Sequence, residues 1–68
     1  MEDELNGQDR LLLTVREAAS QLGLGRSHVY KLIMAGEIRS ILIGRSRRVP
    51  AQGLDQYIAN LLEEQSDI

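Results

Sequence analysis

"LTVREAASQLGLGRSHVYKLIMAGEI", residues 13–38, decides how this 68-residue chain folds. Thr14 and Glu17 stand at the spacing of a capping box, in which the threonine hydroxyl accepts from the amide three residues on and the glutamate reaches back to the threonine amide. Val15, Ala18, Ala19 and Leu22 then recur at i, i+3, i+4 and i+7, which is one face of a helix. Gly23 tolerates the left-handed backbone that stops it. After Leu24 and Gly25 a second helix is predicted over residues 26–35, with Val29, Leu32 and Ile33 inward and Gly36 at its end. At about 100° per residue, Ser27 and Lys31 point almost opposite that inward face. His28 and Tyr30 flank it on either side. Arg26 lies nearer the core, but from the first turn its long side chain reaches outward.

Downstream, "ILIGRSRRVP", residues 41–50, reads as a hairpin. Ile41 and Ile43 alternate, residues 44–46 make a tight turn and residues 47–49 return. Alternation turns Leu42 away from the face that holds Ile41 and Ile43, and so exposes it. Pro50 ends the strand. A last helix over residues 51–62 sets Leu54, Tyr57, Ile58 and Leu61 on one stripe. Upstream, Leu11, Leu12 and Leu13 suit either an edge strand or an extended lead-in. The remaining ends are polar: residues 1–10 read as a disordered acidic tail, and residues 63–68 as a frayed acidic one. One domain, residues 11–62, is left. Roughly 15 apolar side chains point into it, few enough that conformational entropy offsets most of their burial.

Composition removes whole classes of function. There is no cysteine, so neither a disulfide framework nor a thiolate metal site is available. His28 is the only histidine, which speaks against zinc and against any Ser/His/Asp or Cys/His nucleophile. The glycines form no phosphate loop. No enzyme activity, cofactor or metal is expected. The apolar runs fall far short of the roughly 20 residues that span a bilayer, and the acidic start is unlike a signal peptide. The expectation is a soluble, intracellular protein.

The formal charge of −2 conceals a division. Glu2, Asp3, Glu4 and Asp9 outweigh Arg10 at one end, and Glu63, Glu64 and Asp67 stand alone at the other. Between them Arg16, Arg26, Lys31, Arg39, Arg45, Arg47 and Arg48 face only Glu17, Glu37 and Asp55. Local field, not the total, governs attraction to phosphate. A basic middle can be ordinary surface scatter, so the motifs around it have to decide.

In their order and spacing, the two quoted stretches and the later "LDQYI" resemble the excisionase-type DNA-binding domain, a compact relative of MerR-like winged helix-turn-helix proteins. The resemblance covers residues 12–58. It implies a mainly α fold with a small β-hairpin wing, and double-stranded DNA as partner. The second helix would enter the major groove and the wing would lie on the backbone or minor groove. Carried across by position, Arg26, Ser27, His28, Tyr30 and Lys31 are the recognition-helix candidates, and Arg45, Arg47 and Arg48 the wing candidates. Two positions depart from the pattern. Gly25 stands where many relatives have a capping serine, and Ser46 and Arg47 stand where many carry an aromatic residue, so this wing relies more on charge than on packing.

Each candidate also has an ordinary reading. Arg26 and Lys31 can be a solvated helix face; arginine suits bidentate contact with guanine or phosphate, and lysine acts as a point charge. Ser27 can meet a phosphate or merely start the helix. His28 can reach a base edge or stand in solvent. Tyr30 can cover the core edge with its ring while its hydroxyl meets a phosphate. Alternation sets Arg47 and Arg48 on opposite faces, with Arg45 beside Arg47, so Arg48 can instead pair with an acid. Arg16, outward on the first helix, is a candidate backbone contact. Tyr57 is read as core.

The function these readings imply is that of an excisionase, a recombination directionality factor of a bacterial or phage mobile element. It would bind and bend DNA beside an attachment site, associating cooperatively with other copies, so that an integrase carries out excision. It would act in the bacterial cytoplasm, with no membrane partner. The alternatives are a small MerR-like transcriptional regulator, and a protein-binding adaptor that uses the wing and Leu42 on an acidic partner.

Overall fold

The computed structural model describes residues 11–66. The elements run β1 (Leu12–Leu13), α1 (Val15–Leu22), α2 (Arg26–Met34), β2 (Ile41–Ile43), β3 (Ser46–Pro50) and α3 (Ala51–Glu64). The expected acidic tail over residues 1–10 lies outside the described residues, as do residues 67–68.

The helix-turn-helix forms for local reasons. Both halves of the capping box are present: the Glu17 amide donates to Thr14 Oγ1 at 3.0 Å, and the Thr14 amide donates to Glu17 Oε1 at 2.9 Å. At the other end Gly23 adopts φ 72°. Its amide donates to the Ser20 carbonyl and the Leu24 amide to the Ala19 carbonyl, the paired bonds of a Schellman turn. α2 closes in the same way, with the Gly36 amide on the Ile33 carbonyl and the Glu37 amide on the Leu32 carbonyl. Its start differs: Gly25 holds the N-cap position and gives α2 no side-chain cap.

The sheet has three antiparallel strands in the order β1-β3-β2. Leu12 and Leu13 are thus an edge strand, settling the choice left open by the sequence. Leu13 pairs with Val49 and Leu42 with Arg47, so Leu13, Val49, Leu42 and Arg47 share one sheet face. Ile41 and Ile43, opposite Arg48 and Ser46, occupy the other. The helices cover only the Leu13–Val49 end, where both side chains are fully buried. β2 projects beyond them, and all three of its side chains are exposed. Leu42 is exposed as expected. Ile41 and Ile43 are not the inward pair that alternation suggested.

Ten apolar side chains make the core among the described residues: Leu13, Val15, Ala18, Ala19, Val29, Ile33, Ile38, Val49, Leu54 and Tyr57. Leu22, Leu24, Leu32, Ala51 and Leu61 pack partly against it. Tyr57 is core, as read. Ile58 is not: it is 42% exposed, because α3 meets the domain through Leu54 and Tyr57 and the stripe drifts off the contact one residue later. α3 also continues through Glu64, two residues beyond the expected end. Neither glycine nor proline interrupts it there, and glutamate is a good helix former.

Candidate nucleic-acid interface

Three elements converge on one open groove of about 360 Å³. Its walls are Thr14, Val15 and Arg16 from the start of α1, Arg26 and Tyr30 from α2, and Arg45, Ser46, Arg47 and Arg48 from the hairpin. Five of these nine residues are arginines and none is an acid. A second depression, about 340 Å³ and lined by Arg39, Pro50, Gln52, Gly53 and Gln56, holds one cation only.

Local structure explains how each arginine reaches the groove. Arg16 lies in the first turn of α1, held in place by the capping box. Arg26 and Tyr30 are one turn apart, so they form a single stripe on the flank of α2 next to the core. Tyr30 is 44% exposed, its ring partly covered. Arg45 occupies the two-residue hairpin loop with Gly44. Gly44 has φ 63° and Arg45 is not at positive φ, the pattern of a type II′ turn, which puts glycine at the first loop position. Arg16, Arg26 and Arg45 are exposed and make no ion pair among the described residues.

Arg47 and Arg48 are half-buried and are held by neutral groups. Arg47 Nη1 donates to Ser40 Oγ at 2.6 Å, and Arg48 Nη1 donates to the Arg47 carbonyl at 3.0 Å. Arg48 therefore takes a carbonyl where an acid was the alternative. A guanidinium carries five N–H donors, so each keeps donors free for an incoming anion. The two project from opposite faces of β3, yet both line the groove, because it wraps the hairpin.

Six of the nine sequence candidates thus share one groove: Arg16, Arg26, Tyr30, Arg45, Arg47 and Arg48. Ser27, His28 and Lys31 do not line it. All three are exposed. Ser27 and Lys31 lie one turn apart on the solvent side of α2, with the exposed Met34 in the same stripe, and His28 lies further round.

The family model described as a helix-turn-helix domain matches residues 12–61. An excisionase of Streptomyces ambofaciens is 43% identical over 53 residues, which cover 78% of this chain and 86% of the relative. The chain belongs to the excisionase-type helix-turn-helix family. A protein of Saccharopolyspora erythraea named a probable excisionase is 55% identical over 58 residues, 85% of this chain. The chain spans 59% of that relative's length. No solved structure matches it.

Three residues of this helix-turn-helix protein's groove are not among the sequence candidates. Thr14 reads from sequence as a cap, Val15 as core, and Ser46 as part of a turn where relatives carry an aromatic residue. Ser40, which anchors Arg47, carried no signal at all, since nothing in spacing marks a contact between a serine and an arginine seven residues apart. Among the described residues no three His, Cys, Asp or Glu side chains group as metal ligands, and no helix is long and apolar enough to cross a membrane.

Proposed function

We propose that this chain binds duplex DNA through the arginine-lined groove and the exposed face of α2, and that it works as an excisionase. One observation carries the reading: five arginines from three separate elements share a groove that holds no acid. Such a site attracts a polyanion and repels cations at close range. α2 lies in the major groove with its N-terminal half toward the bases. Arg26 reads a base edge, Ser27 and Lys31 meet the flanking phosphates, and His28 touches the far edge of the site. Tyr30 covers the core with its ring and offers its hydroxyl to a phosphate. Arg45, at the hairpin tip, clamps the backbone beside the helix. Arg47 and Arg48 add charge from a fixed position, and Arg16 takes a phosphate at the start of α1.

The role is architectural and non-catalytic. Copies bind next to one another beside an attachment site in the bacterial cytoplasm, bend the duplex, and help an integrase assemble the excision complex. The names of the two relatives support this reading over that of a promoter regulator. The decisive experiment is excision of a reporter element by the cognate integrase with and without the protein, run beside a promoter reporter. Excision that depends on the protein supports the proposal; a promoter response without excision overturns it. Mobility of circularly permuted fragments reads the bend. With about four to six phosphates engaged, log affinity against log salt should fall with a slope of roughly −4 to −5. A flat response would favour a protein-binding adaptor.

A further inference from the structure

β2 is an outer strand. It pairs with β3 alone, so its other edge is open. Ile43 and Ser46 flank the two-residue loop as partners, and the pair that closes such a loop exchanges both ladder hydrogen bonds. Alternation then turns the N–H and C=O of Leu42 away from β3, toward the open edge. The side chains of Ile41, Leu42 and Ile43 are 42%, 58% and 53% exposed. Proteins commonly guard an open edge with lysine, proline, a bulge or an inward charge. Among these three residues there is none of them.

We propose that β2 pairs in antiparallel, two-fold fashion with β2 of a second copy when both are bound to DNA; the inference rests on the DNA-binding reading above. The strand is complementary to itself about Leu42. In the paired state Leu42 exchanges two backbone hydrogen bonds with its counterpart, and Ile41 of each copy lies opposite Ile43 of the other. The two sheets become one of six strands.

Size and charge together choose this occupant and its dependence on DNA. Three residues a side are far fewer than the roughly 20–30 of a stable interface, so the contact cannot hold a dimer in free solution. Arg45, Arg47 and Arg48 also follow directly, and pairing brings both sets of guanidiniums together. Phosphates beneath the two wings remove that repulsion. Binding to one duplex supplies the effective concentration that a small contact needs. An acidic strand from another protein would have to displace DNA to use the same arginines. Two-fold pairing also requires the two binding sites to be inverted relative to each other.

A Leu42→Cys variant tests the pairing, since the chain has no cysteine of its own. Hydrogen-bonded partners in an antiparallel pair have Cα atoms about 5.5 Å apart, inside the span of roughly 4.4–6.8 Å that a disulfide bridges. The probes are attachment-region duplexes trimmed, after footprinting, to one or two protected sites. Under mild oxidation the cross-linked dimer should form at least tenfold faster on the two-site duplex than on the one-site duplex or without DNA. A Gln56→Cys control, exposed on α3, should show no such difference. Equal rates with and without DNA, absence of the dimer, equal cross-linking by the control, or protected sites arranged as direct repeats would each overturn the pairing. Wild-type footprinting separates the two levels of the argument. A blank footprint sinks the DNA-binding reading and the pairing with it, whereas two sites that fill independently sink the pairing alone.

Discussion

Arg47 and Ser40 are joined by a 2.6 Å hydrogen bond from guanidinium to hydroxyl, which ties the returning strand of the hairpin to the segment leading out of α2. The helix and the wing are therefore linked by a side-chain bond as well as by the chain itself. Hydrogen bonds to charged groups contribute about 1.5–3 kcal/mol, and this one is partly shielded from water.

Ser40→Ala should lower stability by about 1–2 kcal/mol in urea titration. The freed Arg47 stays charged, so the DNA salt slope should keep its value while affinity falls. Arg47→Ala should lower both. An identical slope for the two variants would show that Arg47 acts on DNA only through the position of the hairpin.

Arg26→Ala and Arg45→Ala should differ in kind. Loss of Arg26 should cost about 1–3 kcal/mol on the preferred site and flatten discrimination at one base position. Loss of Arg45 should weaken every duplex alike and make the salt slope shallower by about 1. Competition binding across single-base variants of the site reads both effects.

Thr14→Ala should cost about 1 kcal/mol of folding stability through loss of the cap. Since Thr14 also seats Arg16 and Val15 at the groove wall, heteronuclear NMR shifts should spread from the start of α1 into the hairpin arginines.

Gly53 lies buried in the first turn of α3, and a methyl group placed there would meet Arg39 Cβ at 3.6 Å and its carbonyl oxygen at 3.7 Å. These are ordinary contact distances. Gly53→Ala should therefore stabilise the protein by about 0.4–1 kcal/mol, by limiting the unfolded chain, which raises the melting temperature by roughly 2–8 °C. Gly53→Leu should do the opposite. Thermal unfolding of both variants checks the sign.

Features set by neighbours in sequence were legible beforehand. The Thr14–Glu17 box, the stop at Gly23 and the inward Val29 and Ile33 all follow from spacings of a few residues. The hairpin loop, by contrast, is one residue shorter than the turn expected over residues 44–46, because Ser46 already pairs with Ile43. What was missed depends on how far the helices extend over the sheet. Periodicity assigns Ile41 and Ile43 to one side, but it cannot say that the cover ends at Val49. Ile38 stands alone between helix and hairpin with no period to announce it, yet it is 1% exposed. The groove was partly legible: charge and helical order marked six of its residues. The separation of Arg26 and Tyr30 from Ser27 and Lys31 required knowing on which side of α2 the hairpin returns.

β1 adds two residues to the sheet, and the Ala51 amide, first in α3, donates to the Leu11 carbonyl at 2.9 Å. The segment just ahead of α1 thus splints the root of β3 at the place where strand passes into helix. Because Leu13 is also a fully buried member of the core, loosening Leu11, Leu12 and Leu13 from their partners would disturb the packing of α1 and α2 as well as the strand that carries the wing. A proteolytic nick at that segment would therefore loosen the root of the wing together with the adjoining groove wall at Thr14, Val15 and Arg16.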